Sequence, residues 1–248
     1  MNDVINFYKY NLIMEKYFNT RLYRNLDAVT LIVLIPNAIM LWFRTHDTSG
    51  FASIELIAYP LIFGGLSIGV IYLLKRYYLK ESLSDFNLCK GIWTTDILWG
   101  FILSAIYFTL FYVERLTLAN LLSFYTNKEM LGLMLDMRSN PMLITIWFGS
   151  VLWIGIALFE ELIRVFILNS LWKFSNSKLW AVVVIVISAI IIGLAHWSQG
   201  SYGIVTIVIK SVVSGIYFYK FRRLLPLVIA HALYDGIQVA LLLITYPH

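Results

Sequence analysis

Seven long apolar stretches, separated by short polar or basic loops, set the pattern of the chain. They run roughly Ala28–Phe43, Ile54–Leu74, Ile97–Val113, Met142–Leu171, Leu179–Ala195, Ile204–Tyr219 and Leu224–Ile244. A helix crossing the hydrocarbon core needs about 20 predominantly apolar residues, and these stretches are of that order. The alternating ten-residue segments of a lipid-facing barrel do not occur. The pattern therefore predicts an all-α fold, a polytopic transmembrane helical bundle of about seven spans.

Residues 1–27 differ from the rest. Asp3, Lys9, Glu15, Lys16, Arg21 and Arg24 are interleaved with Tyr and Phe. This reads as an N-terminal amphipathic segment on the membrane surface. It lacks the apolar h-region of a secretory signal, so the first span is expected to act as the targeting element. The domain division that follows is 1–27 for this segment, 28–141 for N-terminal transmembrane helices and 142–248 for a C-terminal transmembrane region. Two local features carry expectations about packing. Gly65-x-x-x-Gly69 would let a neighbouring helix approach closely. Leu118, Leu121, Leu122 and Tyr125 recur at helical spacing in the long Glu114–Asn140 loop, which predicts a short interfacial helix there.

Composition confirms lipid as the solvent. Apolar residues make up 60% of the chain and charged residues 13%, with a mean hydropathy of +0.78. A soluble domain is roughly 45–50% apolar and about 25% charged. The formal net charge of +5 does not indicate a nucleic-acid partner, because the basic residues lie in short loops between apolar runs. Thirteen of them fall in the segment before the first span and in the loops after the second, fourth and sixth. The alternate loops hold Arg44, Arg115, Lys128 and Arg138. The positive-inside rule then places the N-terminus in the cytoplasm and the C-terminus outside. Cys89 is the single cysteine, which excludes an internal disulfide and any thiolate metal cluster.

Ionisable side chains inside lipid cost a few kcal/mol each, so their placement is informative. The first three apolar runs carry only Glu55 and Asp96, each near an end. The last four carry Glu160, Glu161, Arg164, His196, Lys210, His231 and Asp235. In Phe159-Glu160-Glu161-Leu162-Ile163-Arg164 either carboxylate can reach Arg164 along a helix. Successive side chains are about 100° apart, so one glutamate can pair while the other faces a water-filled pocket as a general base. The plain alternative is a buried ion pair that locks two helices.

His196 ends an apolar run in Gly193-Leu194-Ala195-His196-Trp197-Ser198-Gln199-Gly200. Non-helical backbone there would have to line an aqueous cavity; the alternative is an interfacial histidine beside an anchoring tryptophan. His231 and Asp235, four apart, share one helix face and can orient an imidazole or address one substrate oxygen. Lys210 either snorkels or offsets an acid. Together, a glutamate pair, a histidine and a His/Asp pair on separate helices are the parts of water-activated amide hydrolysis.

These motifs resemble the CPBP intramembrane proteases, the CAAX-protease and bacteriocin-processing (Abi-type) family. That family carries Glu-Glu-x-x-x-Arg, Phe-x-x-x-His and His-x-x-x-Asn/Asp on successive membrane helices. The resemblance runs from about Met142 to the C-terminus. Here the arginine comes one residue earlier, as Glu-Glu-x-x-Arg, and Ile192 stands at the aromatic position. The resemblance implies an intramembrane endopeptidase acting on a membrane-associated or lipidated peptide or protein in a bilayer, in a bacterial inner or plasma membrane. It implies that Glu160 activates water beside Glu161, that His196 assists, that His231 and Asp235 steady the oxyanion, and that Arg164 supports the glutamate helix. No cofactor is expected; zinc is the alternative, although no His-Glu-x-x-His helix is present. Two other classes use the same residues: a non-catalytic immunity or scaffold relative, and a proton-coupled transporter.

Counted along the helices from the Lys173–Lys178 loop, Glu160 and His196 sit at depths differing by roughly 8 Å at about 1.5 Å per residue. Tilt, or a helix broken near Gly193–Gly203, is needed to bring them together.

Overall fold

The computed structural model describes residues 20–35, 37–39, 41–42, 52–87, 91–125 and 128–246. The helices are α1 (Thr20–Ile39), α2 (Glu55–Leu73), α3 (Trp93–Thr117) and α4 (Lys128–Met137). They continue with α5 (Pro141–Phe174), α6 (Lys178–Leu194), α7 (Gly200–Phe221) and α8 (Leu225–Thr245). No strand occurs among the described residues. The chain is thus an all-α polytopic bundle. Among the described residues six helices, α1, α2, α3, α5, α7 and α8, are long and apolar enough to cross a membrane. The remaining apolar run, Leu179–Ala195, forms α6, with 17 residues, or about 26 Å at 1.5 Å per residue against a core of about 30 Å.

Local sequence sets the boundaries. Asn140 accepts hydrogen bonds from the amides of Met142 and Leu143, with Pro141 in the first turn, and so opens α5. Ser177 caps α6 by accepting from Trp180 N at 3.0 Å. The α5–α6 turn is clamped by Trp180 Nε1 donating to Leu171 O at 2.8 Å. Residues 20–27 are helical and form the first turns of α1, and residues 1–19 of the expected amphipathic segment lie outside the described ones. Cys89 lies outside them too.

Helix α5 is the axis of the bundle. Between Pro141–Ile146 and Phe159–Leu171 it widens into π turns over Trp147–Leu158. From Glu161 to Ser170 every residue is buried, the pattern of a helix surrounded by others. Helix α3 packs along α8, α6 along α7, and α2 and α8 against the π segment of α5.

The glycine contact is not where the Gly65/Gly69 spacing predicts it. A Cβ at either of those positions would meet open space, whereas one at Gly64 would lie 2.9 Å from Gly155 Cα. The α2–α5 crossing is therefore made by Gly64 against Gly155, one residue round the helix from the predicted face.

The interfacial helix expected over Leu118–Tyr125 does not form. Helix α3 runs on to Thr117, residues 118–125 turn and extend, and the short helix is α4 instead. The extended segment is held by backbone pairing to the α6–α7 turn: Tyr125 N donates to Gln199 O at 3.2 Å and Tyr202 N to Ser123 O at 2.9 Å. These bonds satisfy groups that a helix would have kept internal.

The opposite end of the bundle is tied by charge. Lys75, only 2% exposed, donates to Glu81 at 3.0 Å and Asp85 at 2.9 Å. Glu81 also pairs with Lys173 and with Arg21 at 3.4 Å. Asp96, which the sequence places near water, is buried and held by Arg223. The basic loop residues are thus in part a structural lock joining α1, α2, α5 and the α7–α8 turn.

Candidate active site

Glu160 and Glu161 sit in the first turn of regular helix after the π segment of α5. Their different directions decide their roles. Glu161 is 1% exposed. It pairs with Arg164 one turn on and lies 2.9 Å from His231 Nδ1. Arg164 Nη2 also donates to Ser211 Oγ at 3.2 Å, tying α5 to α7. Glu160 points the other way, with its side chain 26% exposed, into a cavity of about 690 Å³.

His196 reaches this cavity because α6 ends at Leu194 and the chain turns through Trp197–Gln199 before α7 begins. Gly200 takes φ +82°. A Cβ there would lie 2.4 Å from Ser123 O, so both backbone conformation and space demand glycine. The break closes the depth mismatch: His196 Nε2 stands 3.9 Å from Glu160 Oε2. Its other nitrogen, Nδ1, is 2.9 Å from Ile192 O. A carbonyl only accepts, so Nδ1 carries a proton; in the neutral ring this is the tautomer that leaves a lone pair on Nε2, facing Glu160.

His231, on α8, lies between the acids. Its Nε2 is 3.8 Å from Glu160 Oε2 and 3.2 Å from Asp235 Oδ2, while Nδ1 faces Glu161. Both ring nitrogens face carboxylate oxygens, the arrangement in which an imidazolium donates at each. All six residues singled out from the sequence, Glu160, Glu161, Arg164, His196, His231 and Asp235, therefore form one contiguous cluster.

Lys210 stands at the cavity wall and donates to Glu114 at 2.7 Å. Its ammonium also lies 5.4 Å from the centre of the Tyr234 ring. Glu114 is buried, although the sequence reading places it in a loop beyond the third apolar run. Tyr234 lines the cavity and Glu114 stands behind Lys210 as its partner; the reading singled out neither. The available signal was Lys210 itself, since a lysine inside an apolar run calls for an acid at the same depth.

Among the described residues, no three His, Cys, Asp or Glu side chains form a group able to hold a metal ion. In the arrangement described, the two nitrogens of His231 are directed at carboxylates. This donor set does not fit a zinc site, and no step is routed through one.

Residues 141–237 match the family model described as type II CAAX prenyl endopeptidase Rce1-like. This stretch contains all six clustered residues, and the family is one of proteases. No curated protein and no solved structure matches the chain.

Proposed function

We propose that this chain, whose residues 141–237 match the type II CAAX prenyl endopeptidase Rce1-like model, is an intramembrane endopeptidase in which Glu160 and His196 activate a water molecule. The observation that carries the reading is the gap between Glu160 Oε2 and His196 Nε2, 3.9 Å. With the His196 ring neutral both atoms are acceptors, and they are too far apart to bond to each other. A water about 2.8 Å from each can donate one hydrogen to each, which raises electron density on its oxygen.

The reaction then balances as follows. The water oxygen attacks the carbonyl carbon of the scissile peptide while one of its protons passes to Glu160. The oxyanion that develops lies against the His231 imidazolium and shares its Nε2–H with Asp235 Oδ2, which that N–H faces in the resting site. The tetrahedral centre collapses, the C–N bond breaks, and the proton held by Glu160 goes to the leaving amine. Glu161 and Asp235 act through His231: one holds Nδ1, the other flanks Nε2. Arg164 holds Glu161 in place. The substrate class that fits is a peptide segment presented at membrane depth, part of a membrane-associated or lipidated chain, since the cavity is walled by Phe111, Phe124, Tyr202 and Tyr234 as well as by polar groups.

The test is cleavage of a synthetic peptide library by the detergent-purified protein, read by mass spectrometry. Glu160→Gln and His196→Ala should each abolish cleavage while leaving a monodisperse, helical protein. Unchanged cleavage in both would overturn the reading.

A further inference from the structure

The bundle has two unlike ends. The start of α1 and the α2–α3, α5–α6 and α7–α8 turns hold ten of the described lysines and arginines. The other end holds Arg115, Lys128 and Arg138. The cavity at Glu160 is not midway between these ends. Its wall reaches out through Arg115, Ala119, Phe124, Gln199 and Tyr202, which belong to the end of α3, the 118–125 segment and the α6–α7 turn. None of its lining residues comes from the turns at the basic end. That half of the bundle is filled by aromatic packing: Trp172 stacks on Phe218 at 6.0 Å, and Trp99 packs against Phe221 at 4.8 Å and Tyr217 at 5.7 Å.

Basic residues in short loops are retained on the cytoplasmic side. An extended peptide does not cross lipid with its backbone groups unpaired, so an extended substrate segment enters from the face on which the cavity opens. Combining the two, we propose that the cavity opens on the non-cytoplasmic face and takes peptide segments presented there, such as exported peptides or outward-facing segments of membrane proteins. This assignment of substrate class rests on the hydrolytic reading above. The sidedness on which it depends can be tested without any catalysis.

Two single cysteines, Ala119→Cys at the cavity mouth and Asn176→Cys in the α5–α6 turn, are placed separately in a Cys89→Ser background. Intact cells producing each protein are treated with a membrane-impermeant maleimide, and parallel samples are permeabilised first. Both variants are checked for monodispersity after purification. The expected result is full labelling of Ala119→Cys in intact cells and loss of labelling of Asn176→Cys unless the cells are permeabilised. Any result in which Ala119→Cys is not labelled from outside, or Asn176→Cys is, overturns the proposal. Such a result would leave hydrolysis by Glu160 intact and reverse only the face that supplies the substrate. Failure of peptide cleavage, conversely, would leave the labelling pattern unchanged.

Discussion

His231 Nδ1 lies 2.9 Å from Glu161 Oε1, and the same carboxylate is held by Arg164. This separates the two adjacent glutamates into different jobs. Glu161 is at the centre of a buried pair and on the proposed reading is a positioning residue, whereas Glu160 faces the cavity. Glu161→Gln should therefore lower stability, by about 3–5 kcal/mol on the scale for breaking one partner of a buried ion pair, and reduce turnover through a misplaced His231. Glu160→Gln should leave stability near wild type and abolish turnover. Thermal unfolding in detergent, measured alongside cleavage, checks the split; equal destabilisation by the two variants would contradict it.

The Glu114–Lys210 pair is the second buried charge contact at the cavity, at 2.7 Å. Removing either partner alone leaves an uncompensated charge at a cost of about 3–5 kcal/mol. Glu114→Gln and Lys210→Met should each lower the unfolding temperature, and the double variant should recover much of the loss. A double-mutant cycle in detergent reads this coupling directly. Additive losses would mean that the two groups do not depend on each other.

Much of this arrangement was legible in the sequence, and the exceptions have physical causes. Hydropathy marked the apolar helices because lipid demands long apolar runs. The load of ionisable residues in the last four runs marked the cluster because such groups are expensive there. Helical geometry showed that Glu160 and Glu161 face different ways, yet it could not say which one pairs with Arg164, since spacings of three and four residues both suit an ion pair. Glu114 escaped because a polar residue just past an apolar run looks like a loop until a partner such as Lys210 buries it. The glycine crossing escaped for a similar reason: Gly64, Gly65 and Gly69 lie together in sequence, and only the position of α5 shows that Gly64 meets Gly155. The extended course of 118–125 depends on hydrogen bonds to residues almost eighty positions away, beyond the reach of local periodicity.

Gly200 is a separate test of how His196 is positioned. Its φ of +82° and ψ of −178° form a conformation essentially confined to glycine, costing other residues about 1–3 kcal/mol. Gly200→Ala should lower stability by about that amount and reduce cleavage, because the strain falls on the turn that brings His196 to Glu160. Unfolding temperature and cleavage rate measured together check this outcome, and Ser198→Ala, two residues before, provides a comparison without the backbone penalty.

The lock at the basic end makes stability depend on pH. Burial alone would raise the Glu81 carboxyl, but hydrogen bonds and charge from Lys173 and Lys75 outweigh it and hold the group below its ordinary 4.5. A depressed folded value means that the unfolded chain takes up the proton first. The stabilisation is complete above 4.5 and is lost as pH falls through the lowered folded value. At neutral pH, Glu81→Gln should melt well below wild type, and the gap should close as the pH drops beneath the ordinary carboxylate range. A gap independent of pH would show that Glu81 contributes by packing rather than charge.

The most direct measurement of the central claim uses isotopically labelled water. Wild-type protein reconstituted in liposomes is incubated with the peptide library in water enriched in oxygen-18, and the products are analysed by mass spectrometry. The account expects newly formed peptide carboxylates carrying one heavy oxygen in the wild type and none above background in Glu160→Gln. Wild-type liposomes that release no labelled product, or a Glu160→Gln variant that labels as well as wild type, would contradict the account.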